Sequence, residues 1–475
     1  MSSSTDHSGG LARRSVTPFE VLAQSVANIA PSAVIAFTPM FMAASAGNGA
    51  WFSFAIGMAI ILIIAQSVTA IARRRAGAGS LYSLIRPAIG PSGSFITGWG
   101  LFIGAICIAA GSLAGAGFFA SEFLKGFGVT IFDNPTGQVI LDAVILVVAI
   151  WITISGVRIA ARVSATLEVI SIILIVIVLV IVLVQSGNII DTAQLTLSGS
   201  TFDGMIFAVV LAILGFVGFE SAASLGEEAK DPFRAIPRAI RGGAIFAGIL
   251  YIFATYAQVA AIDGGAEGLA ASGSPMEALA TQYGLEGFVP LLNLGFTASF
   301  IAVVMACITV AGRLLFSWGN EGIISKRFGT VHKKYRTPAF AIWITIPMIF
   351  IPTAYEVGIV QEVPLNVTTY IDTIGVFGYM IAYLLVCIFA PFFLRKVGAK
   401  NVLVTQILGL VGAAALLYVY WVNIVGTVEP FNQLPIWFIA SMLVGIGLFL
   451  VVRVRNPKAA EAAGTFADDN SEVVS

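Results

Sequence analysis

Long runs of this chain contain no Asp, Glu, Lys or Arg: Val21 to Ala72, Pro87 to Ser121, Val169 to Ile190, Gly242 to Ile262, Gly287 to Gly312, Thr373 to Leu394, Val402 to Val428 and Pro430 to Val452. A helix that crosses a bilayer needs about 20 predominantly apolar residues, and the first run is long enough for two. In hydrocarbon every backbone polar group must find its partner within the protein, which leaves helices or a closed barrel. Barrel strands would alternate apolar and polar residues, whereas these runs are apolar all round. The composition agrees: 58% of residues are hydrophobic and 11% charged, against about a quarter charged in a soluble domain. The expected fold class is an all-α integral membrane protein.

Dividing the runs at polar punctuation predicts twelve spans, at about 20–46, 50–71, 94–122, 138–156, 164–185, 204–226, 240–262, 288–318, 338–355, 370–393, 402–423 and 434–452. With the N-terminus in the cytoplasm, Arg73 to Arg75, Arg86, Arg158, Arg162, Lys326, Arg327, Lys333, Lys334, Arg395, Lys396, Arg453 and Arg455 all fall at cytoplasmic ends, and only Lys125 lands outside. This is the positive-inside pattern. It checks the count, because one missed helix would move every later basic loop to the wrong side. The reading is therefore a multi-pass protein of the cytoplasmic membrane with both termini inside. The N-terminal MSSSTDHSGGLARRS lacks the apolar core of a cleavable signal, and the C-terminal residues 456–475 read as a disordered tail. Cys107, Cys307 and Cys387 all lie in spans, which implies no disulfide framework. The second half of the loop at about 261–287 is a candidate surface helix.

Two spans carry helix breakers near their middles. Span one has Asn28-Ile29-Ala30-Pro31-Ser32, and proline removes a backbone donor. Span six has Gly215-Phe216-Val217-Gly218-Phe219 followed by an acid, Glu220. A kink can be only a kink, but broken helices at matching positions of two halves point to a transporter with inverted repeats.

The string GFESAASLGEEAKDPFRAIPRAI (218–240) resembles the sixth-helix signature of the amino acid–polyamine–organocation superfamily of permeases. AGAGSLYSLIRPAIGPSGSFITGWG (76–100) and AGRLLFSWGNEG (311–322) resemble its loop into helix three and its eighth-helix end. The resemblance covers about 20–395. It implies a LeuT-type fold of 5+5 inverted repeats in which helices one and six unwind around the substrate. The corresponding domains are a cytoplasmic tail at 1–18, a transport core at 19–393, two further helices at 394–455 and a tail at 456–475. An unwound helix offers backbone N–H groups to a carboxylate and carbonyls to an ammonium, which suits an amino acid. The candidate substrate site is Asn28, Ile29, Ala30, Pro31, Ser32, Ala33, Gly215, Phe216, Val217, Gly218, Phe219 and Cys307. The chain departs from the family at Pro31-Ser32-Ala33, where many relatives have a Gly-small-Gly break, and at Leu214, where some have a gating aromatic. Phe216 and Phe219 are the candidate substitutes.

Intramembrane acids are costly and usually functional. Glu220 is read as a proton-coupling or gating group, as a partner for a substrate ammonium, or as a structural cap on the loosened backbone. Glu168 is expected to pair with Arg162 near the interface. Ser171 takes the place where some relatives have a lysine that stands in for sodium, and the alignment puts Val303 and Cys307 opposite it, poor ligands for a hard cation. Proton symport, exchange and facilitated uptake all stay open. Arg313 is expected to snorkel or pair with a cytoplasmic acid. Asp142 and Asp372 are read as rim residues, and Gly100, Gly104, Gly111 and Gly115 as helix-packing positions. Asp231-Pro232 reads as the N-cap of a separate charged helix at the inner surface.

The expected function is a secondary transporter of amino acids. An amine or polyamine permease is the alternative of the same fold, and a channel or nutrient receptor the alternative of another class. No His-Glu-His metal motif, P-loop or nucleophile elbow is present. No enzyme activity, cofactor, metal or nucleic acid is expected; the partners are a small-molecule substrate and the bilayer, with the protein a monomer or homodimer.

Overall fold

A computed structural model describes residues 14–77, 79–399, 402–425 and 431–466. The chain runs through α1 (Pro18–Ile29), α2 (Pro31–Ala46), α3 (Ala50–Ala72), α4 (Arg86–Lys125), α5 (Pro135–Ile154), α6 (Val157–Gln185), α7 (Phe202–Leu214), α8 (Pro232–Ala261), α9 (Val289–Asn320), α10 (Ala339–Ala354), α11 (Pro364–Lys396), α12 (Val402–Val425) and α13 (Leu434–Arg455). Among the described residues no strand forms beyond one isolated bridge, Val16 to Ala229. Ten stretches of them are long and apolar enough to cross a membrane by length and composition. The first, Pro18–Ala72, holds α1 to α3, and the shorter apolar α7 comes in addition.

Local chemistry sets the ends that matter. Thr17 caps α1 in a capping box with Glu20, and Pro18 occupies the first helical position, where its missing N–H costs nothing. At the far end Ala30 turns left-handed, with φ 53° and ψ 61°. The following Pro31 disfavours helical geometry at residue 30 and then starts α2 as its first residue. Pro31 is thus not inside a loosened turn; the turn is Ala30.

The central helices are α4 and α9, and α4 packs along both α9 and α11. Small residues permit this: a Cβ on Gly378 of α11 would lie 2.4 Å from the carbonyl oxygen of Gly100 on α4. The outer helices keep large apolar side chains exposed, Ile177 on α6, Leu403 and Trp421 on α12, and Ile436 and Trp437 on α13. Apolar surface of that extent belongs in lipid.

Several sequence expectations need revision. The charged segment after span six is not a separate helix, because α8 is continuous from Pro232 to Ala261. Asp231 occupies its N-cap position without a side-chain capping bond and instead lies 3.9 Å from Arg234. Residues 456–466 are ordered: Arg86 donates to the carbonyls of Ala463 and Glu461 at 2.7 and 2.9 Å, and the Gly464 N–H donates to the Tyr82 hydroxyl at 2.7 Å. Arg86 and the buried Tyr82 hold what composition alone reads as disordered; residues 1–13 and 467–475 lie outside the described residues. The loop at 261–287 contains two short helices, Gly265–Ala271 and Pro275–Gln282.

Candidate functional site

The two breaks meet in the core of the bundle. After α7 the chain passes through consecutive turns, with Gly218 at φ 96°, into a short 3₁₀ turn, Ser221–Leu225. Gly218 is needed there twice over, since φ is positive and a Cβ would lie 2.4 Å from Nδ2 of Asn28.

Four contacts tie one break to the other. Ser25 Oγ donates to the Phe219 carbonyl at 2.5 Å, Ser221 Oγ to the Gln24 carbonyl at 3.0 Å, and Asn28 Nδ2 to the Gly218 carbonyl at 3.4 Å. The Tyr251 hydroxyl from α8 lies 3.0 Å from the Gly215 carbonyl and 3.5 Å from that of Ile29. The Phe219 and Gly215 carbonyls at the sixth-segment break thereby gain side-chain donors, as buried backbone requires, and each keeps a second lone pair. Tyr383 of α11 completes the frame. Its oxygen accepts from the Gly218 N–H at 3.0 Å, and its O–H donates to Oε2 of Glu220.

A cavity of about 450 Å³ opens from this junction. Of the candidate site residues, Asn28, Ile29, Ala30, Ala33, Gly215 and Val217 line it. Pro31, Ser32, Phe216, Gly218, Phe219, Cys307, Glu220 and Ser171 do not. Phe216 packs against Tyr251 and Phe219 against Tyr383, so neither ring faces the cavity. Its aromatic walls are instead Phe37, Phe41, Phe207 and Phe300, and Leu214 lines it as well. Cys307 lies behind Asn28, its thiol donating to Oδ1 at 3.0 Å. Ser171 faces Gly295 of α9, where a Cβ would sit 3.1 Å from its Oγ. The alignment that set Val303 and Cys307 opposite it is not followed: Val303 lines the cavity.

Three acids lie elsewhere than expected. Glu168 does not pair with Arg162, which instead binds Glu20 at 2.7 Å. Six residues place the two side chains on different faces of α6 at 3.6 residues per turn. Glu168 is buried and accepts the Ser32 N–H at 3.0 Å, capping α2 just past the break. Asp142 is fully buried and accepts from Gln138 at 3.1 Å. Asp372 lines the cavity. Depth along a helix suggests rim positions for the last two; Asp142 is instead buried by its neighbours, whereas Asp372 is half-buried and faces the cavity. Arg313 pairs with Glu228, Nη2 to Oε1 at 2.8 Å and Nε to Oε2 at 2.9 Å, with both side chains buried; it does not snorkel.

Among the described residues no cluster of His, Cys, Asp and Glu could hold a metal ion. Backbone carbonyls end α1 and α7 beside the cavity and a helix begins at α2, so the junction offers partial negative and positive charge side by side.

The fold is similar to that of MhsT, solved in complex with L-phenylalanine, with a TM-score of 0.59 and 15% identity across 85% of this chain and 97% of that one, which makes it a LeuT-type transporter fold. Residues 19–449 match the family model for amino acid permeases, and the chain belongs to that family. Its curated relatives include the branched-chain amino acid permease BcaP of Bacillus subtilis, 23% identical over 63% of this chain and 66% of that one. BcaP of Lactococcus lactis is 24% identical over 69% and 73%. The low-affinity putrescine importer PlaP of Escherichia coli is 25% identical over 61% and 64%.

Proposed function

We propose that the protein is a secondary transporter that carries an amino acid or a related amine across the cytoplasmic membrane by alternating access around the paired breaks. The observation that carries this is the position of the cavity. It starts at Asn28, Ala30 and Gly215 and extends to Ser45 at the end of α2, Phe207 near the start of α7 and Asn423 near the end of α12. On the reading that puts both termini in the cytoplasm, from the distribution of Lys and Arg, those ends lie on the outer side. On this reading the ten apolar stretches become twelve membrane passes, with Pro18–Ala72 divided at its turn and Phe202–Leu214 counted as part of the sixth. The α-ammonium of a substrate would meet the carbonyl ends of α1 and α7, and its carboxylate the N–H of Ala33 in the first turn of α2. Likeness to BcaP and to PlaP supports both amino acids and amines as the cargo class.

Glu220 is proposed as the coupling acid, acting through Tyr383 on the break rather than by touching substrate. The test is uptake into proteoliposomes, with Val217→Trp as the blocking variant. Saturable uptake, stimulated by substrate inside the vesicle and abolished in a folded Val217→Trp protein, is expected. Uptake that survives this substitution would place the substrate elsewhere, and non-saturable flux would mean a channel.

A further inference from the structure

Asp372 is the one ionisable side chain of the cavity lining; no lysine, arginine or histidine lines it among the described residues. It is held where α11 crosses α4. Thr368 Oγ1 donates to the Gly111 carbonyl at 2.8 Å, and a Cβ on Gly111 would lie 2.2 Å from Oδ1 of Asp372. That oxygen is enclosed and has no hydrogen-bond partner among the described residues. An enclosed carboxylate oxygen without a partner is costly, and a cation that reaches the half-buried carboxyl from the cavity offsets that cost. Ser112, Thr369, Thr373 and Asn423 line the same cavity and can share the remaining hydrogens of an ammonium. Much of the rest, including Val34, Leu211 and Phe300, is apolar and suits methylene groups.

The break supplies a second argument. Pro31 has no N–H, and the N–H of Ser32 is already given to Glu168. Two of the first three backbone positions of α2 therefore offer nothing to a substrate carboxylate, because the Glu168 carboxyl already occupies that helix start. The junction is thus poorer in anion-binding groups, and the cavity richer in cation-binding ones, than a site for a neutral amino acid requires.

We propose that Asp372 is a subsite for a substrate ammonium, and that the substrate carries a cationic group beyond one held at the break: a basic amino acid or a diamine. This rests on the transport reading, with the break holding one end of the substrate and Asp372 the other. The test compares lysine and putrescine with norleucine, which keeps the chain of lysine but not its terminal ammonium, in equilibrium binding to the purified full-length protein. Lysine or putrescine is expected to bind at least tenfold more tightly than norleucine. Asp372→Asn should weaken that binding by a further tenfold or more and change norleucine binding less than threefold. Gly47→Ala, outside the cavity lining and with nothing within 4 Å of an added Cβ, serves as the folded control.

Norleucine or leucine binding as tightly as lysine and putrescine to the unmodified protein would overturn the subsite, and that ranking decides even if Asp372→Asn does not fold. A folded Asp372→Asn protein that keeps its preference for cations would overturn it too. So would one that prefers neutral substrates throughout and only loses the pH dependence of their uptake, which would make Asp372 a proton carrier. If neither class binds or is transported, the transport reading itself fails, not the subsite alone.

Discussion

Tyr383 serves both halves of the sixth-segment break with one hydroxyl, accepting from Gly218 and donating to Glu220. Tyr383→Phe leaves two buried groups unpartnered, and such a group costs about 1–3 kcal/mol. The expected outcome is a clear fall in the melting temperature of the purified protein and a larger fall in uptake than Glu220→Gln causes, since the amide still accepts from the phenol. If Glu220 couples protons, Glu220→Gln also flattens the pH profile of uptake; an unchanged profile would remove that role. Gly218→Ala combines positive φ with a clash against Asn28, whereas Gly47, at φ 55°, has nothing within 4 Å of an added Cβ. Backbone strain alone costs about 1–3 kcal/mol, so Gly47→Ala should be folded and active, and Gly218→Ala markedly less stable and inactive in the same two assays.

Among the elements, the segment after the sixth break is anchored to α9 by Arg313 and Glu228. Removing one partner of a buried ion pair leaves an uncompensated charge and costs about 3–5 kcal/mol, while replacing both with apolar groups is often near neutral. Arg313→Met should therefore lower the melting temperature strongly, and the double change with Glu228→Met should recover most of the loss; equal damage from single and double variants would show that the pair does more than neutralise charge. Spans and breaks were legible because apolar length and the Pro31 and Gly218 positions follow directly from backbone chemistry. The roles of Glu168 and Asp372 were not, because each depends on the neighbour it meets: Glu168 on where α2 begins, Asp372 on how closely glycine lets α4 approach α11. The cavity-facing aromatics were missed for the same reason. Phe216 and Phe219 sit in the break by sequence but turn into packing against Tyr251 and Tyr383.

At the scale of the whole molecule, residues 456–466 close the chain back onto Tyr82, Arg86 and Glu321. Glu321, just past α9, accepts from Tyr82 and from the Phe466 N–H. Burial pushes its carboxyl up to about 7, against the lowering effects of Tyr82, the Phe466 and Gly464 backbone and Arg86. An acid with a raised folded value binds more protons docked than free, so its stabilising contribution is full below its ordinary value near 4.5 and is lost as pH rises through about 7. Amide exchange at Gly464 and Phe466, corrected for intrinsic rates, should be slower at pH 5.5 than at pH 8, and Glu321→Gln should flatten that difference. Faster exchange at the lower pH would contradict the docking account.

The bonds that run directly between the breaks have a mechanical consequence. Two hinges pinned to each other at Ser25, Ser221, Asn28 and Tyr251 behave as one joint, so the lower halves of both broken segments share a single rotational degree of freedom. Spin labels on α1 and on the 3₁₀ turn, each measured against α9, should therefore report distance changes that rise and fall together.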